Sequence, residues 1–98
     1  MPPVELTLIG KPDCHLCEDA EAVVAEVVAQ LPAGSVRVTA HSILDDETLR
    51  ARYWEDIPVV LIDGERHTYW RVDPARLRAA LEEAGARPGR VGDGRGRQ

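Results

Sequence analysis

The sequence predicts an α/β domain built on a four-stranded mixed sheet (βαβα then ββα) with helices on both faces. Three observations lead there. Apolar and polar residues alternate along most of Val4-Glu5-Leu6-Thr7-Leu8-Ile9, whereas from Ala20 to Leu31 the apolar residues recur at helical spacing. A second strand and a short helix follow. The chain then closes with an apolar run, an Asp-Gly turn and a last helix opened by Asp-Pro. Strand-helix-strand gives a parallel pair with a right-handed crossover, and the hairpin adds antiparallel strands.

The first strand is bounded by Pro2-Pro3 and by Gly10-Lys11-Pro12. The first helix carries Ala20, Val23, Val24, Val27, Val28 and Leu31 on one face and stops at Pro32-Ala33-Gly34. Its valines are poor helix formers, so packing on the sheet must hold it. Ser35 to Ala40 reads as the second strand. Asp45-Asp46-Glu47 supplies acidic first-turn residues for a short helix through Leu49 to Tyr53. Pro58 to Ile62 and Arg66 to Trp70 are the two hairpin strands around Asp63-Gly64. The last helix has Asp73 as N-cap, Pro74 at its first position, an apolar stripe of Leu77, Ala80, Leu81 and Ala84, and Gly85 as its stop. Residues 1–86 form the expected domain, and 87–98 an expected disordered Arg/Gly-rich tail.

With 98 residues, 44% hydrophobic and 30% charged, the chain has the composition of one globular domain and no room for a second. No apolar run is long enough to span a bilayer, and the N-terminus lacks the basic and apolar regions of a secretory signal, so a cytoplasmic protein without membrane contact is expected. The net charge is −5; residues 87–98 hold four Arg and one Asp, a charge of +3, which leaves −8 for residues 1–86. Such a body repels a phosphate backbone, which argues against nucleic acid as a partner.

Chemistry concentrates in Lys11-Pro12-Asp13-Cys14-His15-Leu16-Cys17. Two cysteines this close are not a disulfide scaffold, so they point to redox reactivity or metal ligation. Thiol-disulfide exchange needs one thiolate to attack and a second thiol near enough to release the mixed disulfide, and positions i and i+3 on a helix lie about 5–6 Å apart. Placed at a helix N-terminus, the Cys14 thiolate is favoured by free backbone N–H groups and the helix dipole; Cys17, one turn in, should be more buried. Lys11 and His15 add positive charge, and Asp13 opposes them. Zinc or an iron-sulfur centre would need further ligands, for which only His15, His41 and His67 offer imidazoles. His15 is cramped between the cysteines, and no metal site is expected. The aromatics Tyr53, Trp54, Tyr69 and Trp70 are assigned to core and sheet-edge packing.

A C-x-x-C between the first strand and first helix, the Ile57-Pro58 step into the third strand, and a short helix after the hairpin together resemble the glutaredoxin-like branch of the thioredoxin superfamily over Val4 to Gly85. The resemblance implies a thioredoxin fold, with Cys14 as nucleophile, Cys17 as resolving thiol and Pro58 as a cis proline facing them. It also implies substrate contact at Lys11, whose ammonium would meet a carboxylate, and at His15, Leu16, Ile57 and Pro58. The backbone N–H and C=O of Ile57 would be left free for an extended substrate. The implied activity is that of a thiol-disulfide oxidoreductase acting on protein disulfides or glutathione mixed disulfides. No cofactor would be permanently bound; glutathione or a reductase would restore the dithiol, and the protein would act as a monomer. Two departures stand out: His15-Leu16 replace the Pro and Tyr common between glutaredoxin cysteines, and Trp70-Arg71-Val72-Asp73 lacks the Gly-Gly pair expected after the fourth strand. That loss favours the alternative, a thioredoxin-fold binding module or redox sensor; a metal-binding protein is the third reading.

Overall fold

The computed structural model describes residues 2–86, and the expected tail lies outside them. Seven elements follow in the order β1 (Val4–Gly10), α1 (His15–Ala29), β2 (Val36–Ser42), α2 (Glu47–Tyr53), β3 (Val59–Ile62), β4 (Glu65–Tyr69) and α3 (Pro74–Ala84). They form one sheet of order β2-β1-β3-β4. β1 and β2 are parallel, from Val4 opposite Val36 to Gly10 opposite Ser42. β3 runs antiparallel to β1, and β4 antiparallel to β3. This is the mixed sheet expected from the element order.

Alternation along β1 divides the interior in two. Val4, Leu6 and Leu8 face a core completed by Ala20, Val24 and Val27 of α1, Leu77 and Leu81 of α3, and Val60 of β3. Ile9 and Val59 face the opposite side and pack with Ile43 and with Tyr53 at the end of α2. The sheet thus has α1 and α3 on one face and α2 on the other. Leu6, Ile9, Val59, Val60, Leu77 and Leu81 have no exposed surface, so the central strands and α3 carry the most completely buried side chains.

Several boundaries differ from the expectation for local reasons. α1 ends at Ala29, where Gln30 caps it ahead of Pro32. β2 begins at Val36 and continues to Ser42, because its pairing with β1 runs the full length of that strand. In α3, Ala84 is exposed while Ala86 is buried: Gly85, at φ 129°, turns the chain so that the Ala86 N–H donates to the Leu81 carbonyl. β4 stops at Tyr69 because Trp70, at φ 67°, sits in a three-residue turn closed by the Arg71 N–H donating to the Tyr69 carbonyl.

Of the four aromatics expected to pack in the core or at sheet edges, Tyr53 alone is buried, at 8% exposure. Trp54, Tyr69 and Trp70 are 59%, 45% and 53% exposed. Trp54 lies just past the end of α2, and the turn at Trp70 carries that side chain off the strand, where its Nε1 donates to the Glu55 carbonyl at 3.0 Å. Tyr69 meets Trp70 edge to face, with centroids 5.2 Å apart.

Candidate active site

Strand directions decide which loops meet. β1 and β2 both finish at one end of the sheet; β3 starts there and β4 returns there. The segments 11–14, 43–46, 54–58 and 70–73 therefore share that end. The first of them delivers the cysteines.

Asp13 adopts φ 58°, a left-handed conformation that Asp tolerates better than most residues, and it turns the chain from β1 into α1. Cys14 follows as the N-cap, with extended backbone, its Sγ accepting the Cys17 N–H at 3.2 Å and its carbonyl accepting the Glu18 N–H at 3.0 Å. Cys14 and Cys17 are joined as a disulfide, with Cα atoms 5.2 Å apart. The Cys14 sulfur thus occupies the place of a capping oxygen at the positive end of the α1 dipole. Cys17 is buried, at 4% exposure, and Cys14 is half-buried. The two sulfurs are thereby unequal: Cys14 is open to a partner and Cys17 sits behind it.

Gly10 makes that arrangement fit. A Cβ at Gly10 would lie 3.0 Å from the Cys17 Sγ and 3.2 Å from its Cβ, so the absence of a side chain lets α1 seat Cys17 against the end of β1 with no displacement. The sequence marked Gly10 as a strand boundary and not as a contact of the reactive pair.

Ile57-Pro58 is a cis peptide bond. Pro58 is fully buried and Ile57 half-buried against the α2-side core. The Pro58 carbonyl is taken by the Trp70 N–H at 2.8 Å. Ile57 lies beyond the last β1–β3 pair, Ile9 with Val59, and its N–H and C=O have no hydrogen-bond partner among the described residues.

Two hollows flank the cysteines. A groove of about 220 Å³ has Leu16, Ala20, Val23, Trp70 and Val72 as apolar walls, with Asp19 and Arg71 also lining it. A cleft of about 290 Å³ reaches Cys17 between Gly10, Lys11, Glu21, His41 and Asp45. Of the expected site residues, Cys14 and Cys17 are bonded, Leu16 walls the groove and Lys11 the cleft. His15 is exposed on the first turn of α1, with no side-chain partner among the described residues. No three His, Cys, Asp or Glu residues are grouped to hold a metal ion among the described residues. Nor is any helix there long and apolar enough to cross a membrane.

Residues 5–82 match the glutaredoxin-like domain (DUF836) family. The chain belongs to that family. Uncharacterized proteins of Mycobacterium tuberculosis and Mycobacterium bovis are 35% identical to it over 79 residues, covering 79% of this chain and 81% of theirs. Among solved structures, a protein from X. campestris is 35% identical, with a TM-score of 0.64 over 80% of this chain and 96% of that one. A point mutant of thioredoxin from Halobacterium salinarum is 22% identical, with a TM-score of 0.61 over 84% of this chain and 74% of that one, a likeness of fold. This glutaredoxin-like chain is therefore a thioredoxin-fold domain carrying a disulfide-capable C-x-x-C.

The disulfide-capable pair Cys14 and Cys17 was legible in the sequence, whereas Gly10 and the groove were not.

Proposed function

We propose that the protein is a thiol-disulfide oxidoreductase in which Cys14 is the nucleophile and Cys17 the resolving thiol. The observation that carries this reading is the inequality of the two sulfurs, one half-buried at the N-cap of α1 and the other buried beneath it. The Cys14 thiolate attacks one sulfur of a substrate disulfide, forming a mixed disulfide and releasing the other substrate sulfur as a thiolate. Cys17 then loses its proton and attacks the Cys14 sulfur. The Cys14–Cys17 disulfide forms, the second substrate thiol leaves, and two electrons have passed from the dithiol to the substrate. Glutathione or a reductase reverses the change by donating two electrons to the protein disulfide. The backbone groups of Ile57, unpaired among the described residues, offer hydrogen bonds to substrate backbone.

The test is reduction of insulin disulfides with dithiothreitol as terminal reductant. Cys14→Ser should abolish the protein-dependent rate, while Cys17→Ser, mixed with insulin in the absence of dithiothreitol, should still attack through Cys14 and accumulate as a mixed disulfide visible by mass. Undiminished activity in Cys14→Ser overturns the assignment of the nucleophile. The dithiol should titrate in graded thiol buffers with a midpoint between about −180 and −270 mV, the span from protein disulfide isomerase to thioredoxin. A normal midpoint with no turnover would instead identify a redox sensor.

A further inference from the structure

Six large apolar side chains are exposed on the described domain, and five of them, Leu16, Leu44, Trp54, Tyr69 and Trp70, lie at or beside the sheet end that holds Cys14. The folded body thus concentrates its exposed apolar side chains toward the sheet end that carries Cys14. Trp70 is held there at a conformational cost: φ 67° is unfavourable for a bulky residue, yet the fold fixes it with the Pro58 carbonyl on its N–H and the Glu55 carbonyl on its Nε1. The groove it walls, at about 220 Å³, falls below the roughly 300–1,000 Å³ of sites that enclose a small molecule, and it suits one inserted side chain.

Resting on the oxidoreductase reading, we infer that the substrate is an extended, positively charged polypeptide, with an apolar side chain near its disulfide cysteine seated in the groove between Leu16 and Trp70. Two further observations specify this occupant. Ile57 presents an N–H and a C=O with no partner among the described residues, a pair that an extended backbone can meet. The charge of −8 over residues 1–86 attracts a cationic chain and repels glutathione, whose two carboxylates outnumber its one ammonium. Arg71, on the wall of the groove, leaves the apolar pocket flanked by one cation and by the carboxylate of Asp19.

The experiment uses the full chain in its dithiol form and synthetic peptides whose single cysteine is a mixed disulfide with thionitrobenzoate, so that attack releases a coloured thiol. One peptide has Leu beside the cysteine and lysines on both flanks; in a second Gly replaces Leu, and in a third Glu replaces Lys. The Leu-Lys peptide should react about tenfold faster than the Gly peptide, the discrimination a small apolar pocket provides. It should also outpace the Glu peptide, by a margin that shrinks with added salt. Trp70→Gly, which suits the backbone at φ 67°, should bring the Leu-to-Gly ratio close to one, and Leu16→Ser should lower it independently. Equal rates for the Leu and Gly peptides, a ratio that neither substitution moves, or oxidised glutathione consumed as fast as the Leu-Lys peptide, overturns the inference. Binding of serine-for-cysteine peptides to the oxidised protein, followed by calorimetry, separates it from the redox reading. The same ranking without turnover upholds the surface while the enzyme assignment falls; absence of that ranking overturns the surface even where insulin is reduced.

Discussion

At Gly10 one hydrogen in place of a methyl group sets how closely Cys17 approaches the end of β1. Gly10→Ala must either push the Cys17 sulfur away or tilt the first turn of α1. Overpacking of this kind costs about 1–3 kcal/mol, and the displacement falls on the resolving thiol. The variant should show a lower urea midpoint and slower closure of the Cys14–Cys17 disulfide, followed by alkylation and mass, while initial attack by Cys14 is affected less. The cysteines themselves were legible because their chemistry follows from residue type, spacing and position after a strand. Gly10 was not, since its role depends on how α1 leans on the sheet, which no local pattern encodes. The same limit applies to Trp70: aromatic residues are buried on average, and only the turn after Tyr69 turns this one outward.

Among the elements, the helices were read correctly where their caps are local. Asp73 was expected as the N-cap of α3, and its carboxylate accepts the N–H groups of Ala75 and Arg76 at 2.9 and 3.1 Å, with Pro74 at the first position. Asp46, expected within the first turn of α2, is instead its N-cap and accepts the N–H groups of Thr48 and Leu49. Asp73→Ala removes both bonds from the helix that inserts Leu77 and Leu81 into the core, so a loss of about 0.5–2 kcal/mol is expected in urea unfolding. Asp73→Asn should recover most of it, because its side-chain oxygen accepts the same bonds. Strand ends were less legible than helix ends, since they depend on the partner strand: β2 is seven residues long because β1 is.

At the scale of the molecule, the two cores follow from alternation on β1, which is why the topology could be read from the chain alone. The sheet also makes stability depend on pH through one histidine. Val60 pairs with Thr68 and Leu61 with Arg66, which leaves His67 as the extra residue of a bulge in β4. Partial burial, reinforced by the charge of Arg76 on α3, lowers the His67 pKa below its ordinary 6.5. The folded state therefore takes up this proton less readily than the unfolded chain. The contribution of neutral His67 is fully present above pH 6.5 and is lost as the pH falls from there through the lowered value. His67→Gln should flatten that part of the stability profile, read as the difference between variant and parent urea midpoints across the series; parallel profiles would remove His67 from the account.

The bond between Cys14 and Cys17 encloses only two residues, and neither core depends on it to bring distant segments together. Chain-entropy arithmetic gives so short a ring about 2 kcal/mol of constraint on the unfolded chain, against about 4.7 for a loop of 100 residues. That is small beside the roughly 5–15 kcal/mol that holds a domain of this kind together. In the oxidoreductase proposed above, two electrons would enter or leave at one corner of the sheet, and the two cores would serve as a mount that does not rely on which state the pair is in.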